Sequence, residues 1–333
     1  MPLNAATEAA RLSIAPMMDW TDRHCRRFHR EISQHAFVYT EMVTAPALVR
    51  GGARHLLRFN PAEHPVALQI GGSDPAELAT AAAMGADEGY DEINLNVGCP
   101  SDRVQSGCFG AVLMERPGLV ADCVRAMIAA QPRPVTVKCR IGVDQQNPAD
   151  VLPDFIARMG DAGLGHVIVH ARKAWLSGLS PKENRDVPPL DYPLVERMKA
   201  EFPEMRISIN GGIASLAEAE AFLARGLDGV MIGRAAYHTP MEILGAADGR
   251  IFGDARPPRA AHDVARAMIP HIEAHLAEGG RLHAVTRHML GLFAGRPGAR
   301  VWRRMLSEGA HEDGAGPELI EEALARIPEA RAA

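Results

Sequence analysis

The stretch Ala162-Gly163-Leu164-Gly165-His166-Val167-Ile168-Val169-His170-Ala171-Arg172 decides the architecture. It opens on a glycine able to end a helix in the left-handed conformation, runs through a short apolar strand, and finishes on polar side chains. The same order recurs along the chain. Met84-Gly85-Ala86 precedes a strand that starts near Glu92 and ends in the polar run Asn94 to Pro100, and Arg225-Gly226-Leu227 precedes one that starts near Gly229 and ends in Gly233-Arg234. In all, β-rich runs start near Ile14, Phe37, Val66, Glu92, Val135, His166, Arg206 and Gly229, with Ala-rich or amphipathic helical stretches between most of them. Strands alternating with helices in this way predict an α/β chain, a (β/α)8 TIM barrel over residues 1–247. An open doubly wound sheet is the alternative, but it usually brings a glycine-rich dinucleotide loop after its first strand, and Ala15-Pro16-Met17-Met18 is not one.

The 333 residues exceed the roughly 250 of a barrel domain by enough for a small second unit. Barrel patterning fades after Ile243, and residues 248–260, rich in Gly, Pro and Arg, read as a linker. Helical patterns at Asp263 to Ala277, Leu282 to Phe293, Ala299 to Leu306 and Pro317 to Arg326 then predict a C-terminal α-helical bundle over 261–333. Hydrophobic content of 47% with 23% charged residues is ordinary for a globular chain. The longest apolar runs are strand-sized, so no membrane role is expected, and Met1 to Arg11 lacks the marks of a secretory signal. A cytoplasmic protein, expected to be a monomer, follows. Five cysteines show neither a disulfide framework nor metal spacing, so no metal is expected.

A net charge of −5 argues against indiscriminate coating of nucleic acid, yet leaves room for a local basic face. Between Gly280 and Glu308 lie Arg281, Arg287, Arg296, Arg300, Arg303 and Arg304, with Trp302 and no carboxylate. That face suits phosphate contacts, although scattered charge on a helix is also the ordinary mark of a solvated surface.

Catalytic groups of such barrels sit where strands end. Those ends are polar here: Pro16-Met17-Met18, Glu41, Gln69, Asn94 to Pro100, Lys138 with Arg140, His170 with Arg172, Asn210-Gly211-Gly212, and Gly233-Arg234. Loops after the last two barrel strands commonly bind phosphate through backbone N–H groups, although the same glycines also serve as plain tight turns. Lys138 and His170 end adjacent strands, and a lysine beside a flavin ring favours the charge that builds there on reduction. With Gln69 at the ring edge, the set sketches a flavin mononucleotide site. Cys99 lies in a Gly/Pro turn that presents its thiol, a possible proton donor; a buried small hydrophobe is the other reading of the same residue. Cys108 competes, but its glycine flanks fit a loop role, while Cys25, Cys123 and Cys139 read as core.

Together, Ala15-Pro16-Met17-Met18-Asp19, Asn94 through Pro100 with Gly107 to Ala111, Val137-Lys138-Cys139-Arg140, Val169-His170-Ala171-Arg172 and Ser208-Ile209-Asn210-Gly211-Gly212 resemble the tRNA-dihydrouridine synthases. The stretch Lys173 to Arg185, followed by Pro188-Pro189-Leu190-Asp191-Tyr192, is similar to their A subfamily, and the likeness extends into the tail at His288 to Phe293 and Gly298-Ala299-Arg300. The resemblance implies bound FMN, NADPH as electron donor and tRNA as substrate, with reduction of D-loop uridine at positions 20 and 20a. By the same likeness Cys99 is the proton donor. Pro16, Met17, Met18, Gln69, Lys138, Arg140, His170, Asn210, Gly211, Gly212, Gly233 and Arg234 form the flavin site, and Asn96, Lys182, Arg185, Arg300 and Arg303 face tRNA. Two rivals share parts of this pattern. A flavin barrel oxidoreductase acting on a free pyrimidine or other small molecule has no use for the arginine-rich tail, and an RNA-binding scaffold without chemistry has no use for the flavin residues.

Overall fold

The computed structural model describes residues 8–101 and 107–328. Its strands are β1 (Leu12–Ile14), β2 (Phe37–Tyr39), β3 (Val43–Thr44), β4 (Val66–Gly71), β5 (Glu92–Val97), β6 (Val135–Arg140), β7 (His166–His170), β8 (Arg206–Asn210) and β9 (Gly229–Ile232). All pairings are parallel, in the ring β1-β2-β4-β5-β6-β7-β8-β9, and β9 closes on β1 through Leu12↔Val230, Ser13↔Met231 and Ile14↔Ile232. This is a (β/α)8 barrel with each expected strand in place. The short β3, beside Ile70 and Gly71 of β4, is not foreshadowed in the sequence, because two residues are too few to show a period.

Side chains alternate across each strand. Leu68, Ile70, Ile93, Leu95, Val137 and Val169 belong to the main apolar core shared with the surrounding helices. The barrel interior holds a separate small apolar cluster built on Phe37, Tyr39, Ala67, Ile168 and Met231. Above it the alternate positions are polar: Gln69, Asn94, Asn96, Thr136 and Asn210 are buried. Polar groups with no access to water need partners, and these find them largely in one another.

Gly163 and Gly226 take the left-handed conformation expected of helix-ending turns, with φ of +88° and +95°. Met84-Gly85-Ala86 does not form such a turn. The helix Pro75–Glu88 runs through it and ends at Gly89, φ +101°. Gly85 instead lets the helix lie close to the sheet, since a Cβ there would sit 2.6 Å from Leu68 and 2.8 Å from Ile93. The expected linker is likewise partly regular. A helix, Ala247–Phe252, occupies its first residues, and Asp248 anchors it to the barrel by accepting from Ser33 Oγ and from Gln34 N at 2.7 Å.

The C-terminal helices Ala261–Ala267, Ile269–Ala277, Leu282–Thr286, Ala299–Gly309 and Glu318–Leu324 share the main core, which runs unbroken from barrel to tail. Trp302, grouped by sequence with the basic face, is instead 0% exposed; it packs edge-on to Phe293 and donates to Met289 O at 2.8 Å. Its indole is an anchor for this helix layer, because it sits on the apolar stripe between the exposed Arg300, Arg303 and Arg304.

Asp22 joins the two parts. It caps the helix Arg23–Ile32 by accepting from His24 N at 2.9 Å and Cys25 N at 3.0 Å, and it also receives Arg287 at 2.7 Å and His288 at 3.0 Å from the C-terminal helices. Burial opposes its charge, but the His288 and Arg287 bonds prevail and hold the carboxyl well below the usual range. No helix among the described residues is long and apolar enough to cross a membrane.

Candidate active site

The mouth of the barrel, at the C-terminal ends of its strands, brings most of the expected residues together. Lys138 Nζ reaches from β6 past β7 to donate to Asn210 Oδ1 on β8 at 3.0 Å, and Asn210 Nδ2 donates to Met231 O at 2.8 Å. Burial pushes the Lys138 pKa down to about 8, and the charge of Arg140 adds to the push. Burial first, then the charges of Arg140, Lys138, Arg172 and Arg185, holds His170 well below the ordinary histidine range, so its ring is neutral. That ring lies against the backbone of Gly211, φ +116°, where a Cβ would sit 2.6 Å from His170 Cδ2. Gly211 is therefore fixed by both its conformation and its neighbour.

Asn94 to Pro100 forms the other wall. Asn96 Oδ1 accepts from Gly98 N at 3.1 Å and Cys99 N at 3.0 Å, which folds the strand end into a turn. Arg140 Nε clamps the same turn through Gly98 O at 3.0 Å, while its Nη1 holds Lys173 O and Asn184 O at 3.0 and 2.8 Å. Cys99 is half-buried, with Sγ 3.6 Å from Ser101 Oγ. The strand that leads into its turn pairs Asn96 with Lys138, and Arg140 binds the turn itself through Gly98 O. Cys108 is exposed with φ +56°, and Cys25, Cys123 and Cys139 are buried core thiols.

The β1 and β9 loops meet at the remaining side, where a Cβ on Gly233 would lie 3.4 Å from Met17 Sδ. Arg234 reaches back to Asp186 Oδ1 at 2.8 Å, an acidic partner that sequence reasoning misses. Arg172 Nη1 donates to Asp186 O and Pro188 O, while its Nε is buried with no partner among the described residues. Met18 is exposed at the rim beside a cavity of about 480 Å³ lined by Thr40, Glu41, Val43, Leu56 and Arg58. Arg185 belongs to the mouth through its neighbours Arg140, Arg234 and Asp186, whereas Lys182 is exposed on the outer turn before it. Arg300 and Arg303 stand apart on the helix Ala299–Gly309. Also outside the mouth, His35, Asp248 and Asp254 gather near the chain's return to the barrel, but Arg256 already pairs with Asp254.

Sequence reasoning also overlooks a further set, Tyr39, Glu92 and Thr136, buried below the mouth. Parity is the signal that could have found it: Glu92 is two and four residues from Asn94 and Asn96, so it shares their inward face.

The (β/α)8 barrel gathers cations, a neutral histidine and a thiol at its strand ends, and the family to which the chain belongs makes it a flavin-dependent oxidoreductase. The family profile described as dihydrouridine synthase (Dus) matches residues 13–328, and the chain belongs to that family. Among curated relatives, a tRNA-dihydrouridine(20/20a) synthase of Vibrio cholerae is 55% identical over 323 residues, 97% of this chain and 98% of that protein. One of Escherichia coli K12, with the same description, is 55% identical over 324 residues, 97% of this chain and 93% of its own length. Among solved structures, an old yellow enzyme homologue from Zymomonas mobilis superposes with a TM-score of 0.53 at 12% identity, covering 76% of this chain and 91% of that one. At that identity the likeness concerns the fold alone.

Proposed function

We propose that this protein reduces the C5–C6 double bond of uridine at positions 20 and 20a of the tRNA D-loop, with FMN bound and NADPH as electron donor. It acts as a cytoplasmic monomer. One observation carries the reading: the Cys99 turn is clamped by Arg140 Nε through Gly98 O at 3.0 Å, and the strand leading into it pairs Asn96 with Lys138 at the same barrel mouth. The near full-length likeness to synthases described for positions 20 and 20a supports the substrate.

The residues fit a flavin phosphate and ring. Arg172 Nε is a buried donor with no acceptor among the described residues, and Gly211, Gly212 and Gly233 leave backbone rather than side chain at the loops after β8 and β9. Pro16, Met17 and Gln69 would line the ring, Lys138 and His170 its polar edge, and Arg234 the phosphate. When bound, the flavin supplies two electrons, as hydride, to carbon 6 of the uracil. Cys99 delivers the proton to carbon 5 from its fixed turn, and Asn96 holds that turn in place. A stacked base is out of reach, so the uridine is flipped into the mouth. The cavity beside Met18 is within the roughly 300–1,000 Å³ of ordinary ligand sites and has room for flanking RNA. Lys182, Arg185, Arg300 and Arg303 take the tRNA backbone.

Cys99→Ala tests the reading. The variant should keep its yellow flavin and its reduction by NADPH, while dihydrouridine formation on unmodified tRNA falls by roughly 10²–10⁴-fold. Wild-type turnover by that variant would refute the assignment.

A further inference from the structure

A file of hydrogen-bonded side chains climbs the inside of the barrel from its floor to the Cys99 turn. At the floor, Glu92 Oε1 accepts from Tyr39 OH at 2.6 Å and from Thr136 Oγ1 at 2.7 Å. Thr136 Oγ1 accepts from Asn94 Nδ2 at 2.8 Å, and Asn94 Oδ1 from Gln69 Nε2 at 2.7 Å. Gln69 Oε1 accepts from Asn96 Nδ2 at 2.8 Å, and Asn96 Oδ1 from the Cys99 backbone N at 3.0 Å. The file spans about 13 Å along β5, from residue 92 to residue 96.

Its direction is the informative feature. Amides and hydroxyls can exchange their donor and acceptor ends, but an ionised carboxylate only accepts and a backbone N–H only donates. Such one-way groups stand at both ends of this file, and they demand the same direction. Glu92 draws the Thr136 hydroxyl proton, so Thr136 offers its lone pair to the Asn94 amide. Asn94 then offers its carbonyl to Gln69, and Gln69 its carbonyl to Asn96. Turning any one member would set two donors or two acceptors face to face in a dry interior.

We propose that Glu92 is a positioning residue: as an anion on the barrel floor it fixes the direction of this file, and with it the amide faces that Gln69 and Asn96 present to flavin and uracil. This rests on the flavin and uridine reading above. Burial pushes the Glu92 carboxyl up to about 7, against the Thr136 and Tyr39 bonds that favour its charge; Asp91 pushes the same way as burial and Arg206 against it. His166, held neutral by burial, faces Ser208 on the far wall, 2.8 Å away. Protonation of Glu92 removes the charge that draws both hydroxyl protons to Oε1 and adds an O–H that can donate instead, so the file loses its fixed direction as pH falls through about 7.

The test uses holoenzyme with its flavin reduced in the absence of oxygen, mixed with unmodified tRNA, following the return of flavin absorbance. Thr136→Val severs the file above Glu92 and should slow this single turnover about tenfold at saturating tRNA. Flavin content and tRNA affinity should be unchanged, and Thr136→Ser should restore the rate. In the wild type the rate should fall below about pH 7, following the Glu92 carboxyl. That acid limb should vanish in Glu92→Gln and move to higher pH in Tyr39→Phe, which removes a donor to the anion. Equal rates for Thr136→Val and Thr136→Ser, or an acid limb persisting in Glu92→Gln, would overturn the proposal. If wild-type flavin is not reoxidised by tRNA, the uridine reading fails, and the file is then judged on the flavin. Differing flavin spectra and NADPH reduction rates in the Val and Ser variants support it, and identical ones overturn it.

Discussion

At the scale of single residues, Lys138 shows how position tunes chemistry. Its ammonium has Asn210 Oδ1 as a partner, stands beside Arg140, and is buried enough to bring its pKa down to about 8. A fixed positive charge beside a ring that gains electrons stabilises the reduced state, and a charge already in place needs no rearrangement during the reaction. Deprotonation removes that charge. The rate of flavin reduction by NADPH should therefore fall as pH rises through about 8, and Lys138→Met should be slow at every pH with a flat profile over that range. Stopped-flow reduction from about two pH units below that value to about two above reads both outcomes; a wild-type profile retained by Lys138→Met would remove the lysine from this role. Lys138, His170 and Asn210 are legible in the sequence because each is a polar residue in the C-terminal half of an otherwise apolar strand, the face where barrel enzymes place their chemistry. Glu92 is not legible by that rule. It begins its strand beside Asp91, where charge usually marks the approach from solvent, and only its parity with Asn94 and Asn96 turns it inward. Asp186 escapes notice for another reason: its meeting with Arg234 joins two loops 48 residues apart, and no local pattern encodes that.

Among the elements, the helix Ala299–Gly309 presents two faces of different character. Trp302 and Leu306 are buried, whereas Arg300, Arg303 and Arg304 are exposed and make no ion pair among the described residues. The two faces should therefore separate under mutation. Trp302→Ala empties a fully buried site and loses the bond to Met289 O, which should cost roughly 3–5 kcal/mol of stability in a denaturant titration. The pair Arg300→Glu and Arg303→Glu should leave the denaturation midpoint nearly unchanged. It should weaken tRNA binding and flatten the salt dependence of log Kd by about one unit for each phosphate that is no longer neutralised, with flavin content unaltered. An unchanged salt slope would place the RNA elsewhere. Elements as a class are readable from periodicity, and their limits are not. The helix Pro75–Glu88 continues through Gly85 because close packing on Leu68 and Ile93 offsets the weak helix preference of glycine. The helix Ala247–Phe252 forms inside a Gly- and Pro-rich stretch because Asp248 finds donors in Ser33 and Gln34 more than 200 residues earlier.

At the scale of the whole molecule, the barrel and the C-terminal helices are coupled by groups that titrate in different pH windows. Asp22 caps a barrel helix while holding Arg287 and His288; with its carboxyl held far below the usual range, it keeps its charge well into acid. Beside it, His24 Nδ1 lies 2.8 Å from His271 Nε2, and the His24 and His275 rings are edge to face with centroids 4.4 Å apart. Burial, first of all causes, brings His24 down to about 3 and His271 to about 4, and it lowers His275 as well. Histidines depressed in the folded state bind protons more readily when unfolded. Their stabilising effect is thus complete above about pH 6.5, the unfolded value, and is lost as pH falls from there toward 4. Asp22, depressed as well, loses stability in the same direction on acidification, but only below the ordinary carboxylate value of 3.8, so it holds its charge across that window. Between about pH 6.5 and about pH 4.5 the interface should therefore weaken through the histidines alone, by at most about 1.4 kcal/mol per pH unit for each one that must stay neutral. The expected observation is a Tm that declines steadily below about pH 6.5, and a shallower decline in the double variant His24→Asn with His271→Gln, whose side chains do not titrate. Parallel declines in the two proteins, followed by calorimetry over that range, would assign the acid sensitivity to other buried histidines, His29, His166 or His170, and leave the junction between barrel and C-terminal helices indifferent to pH.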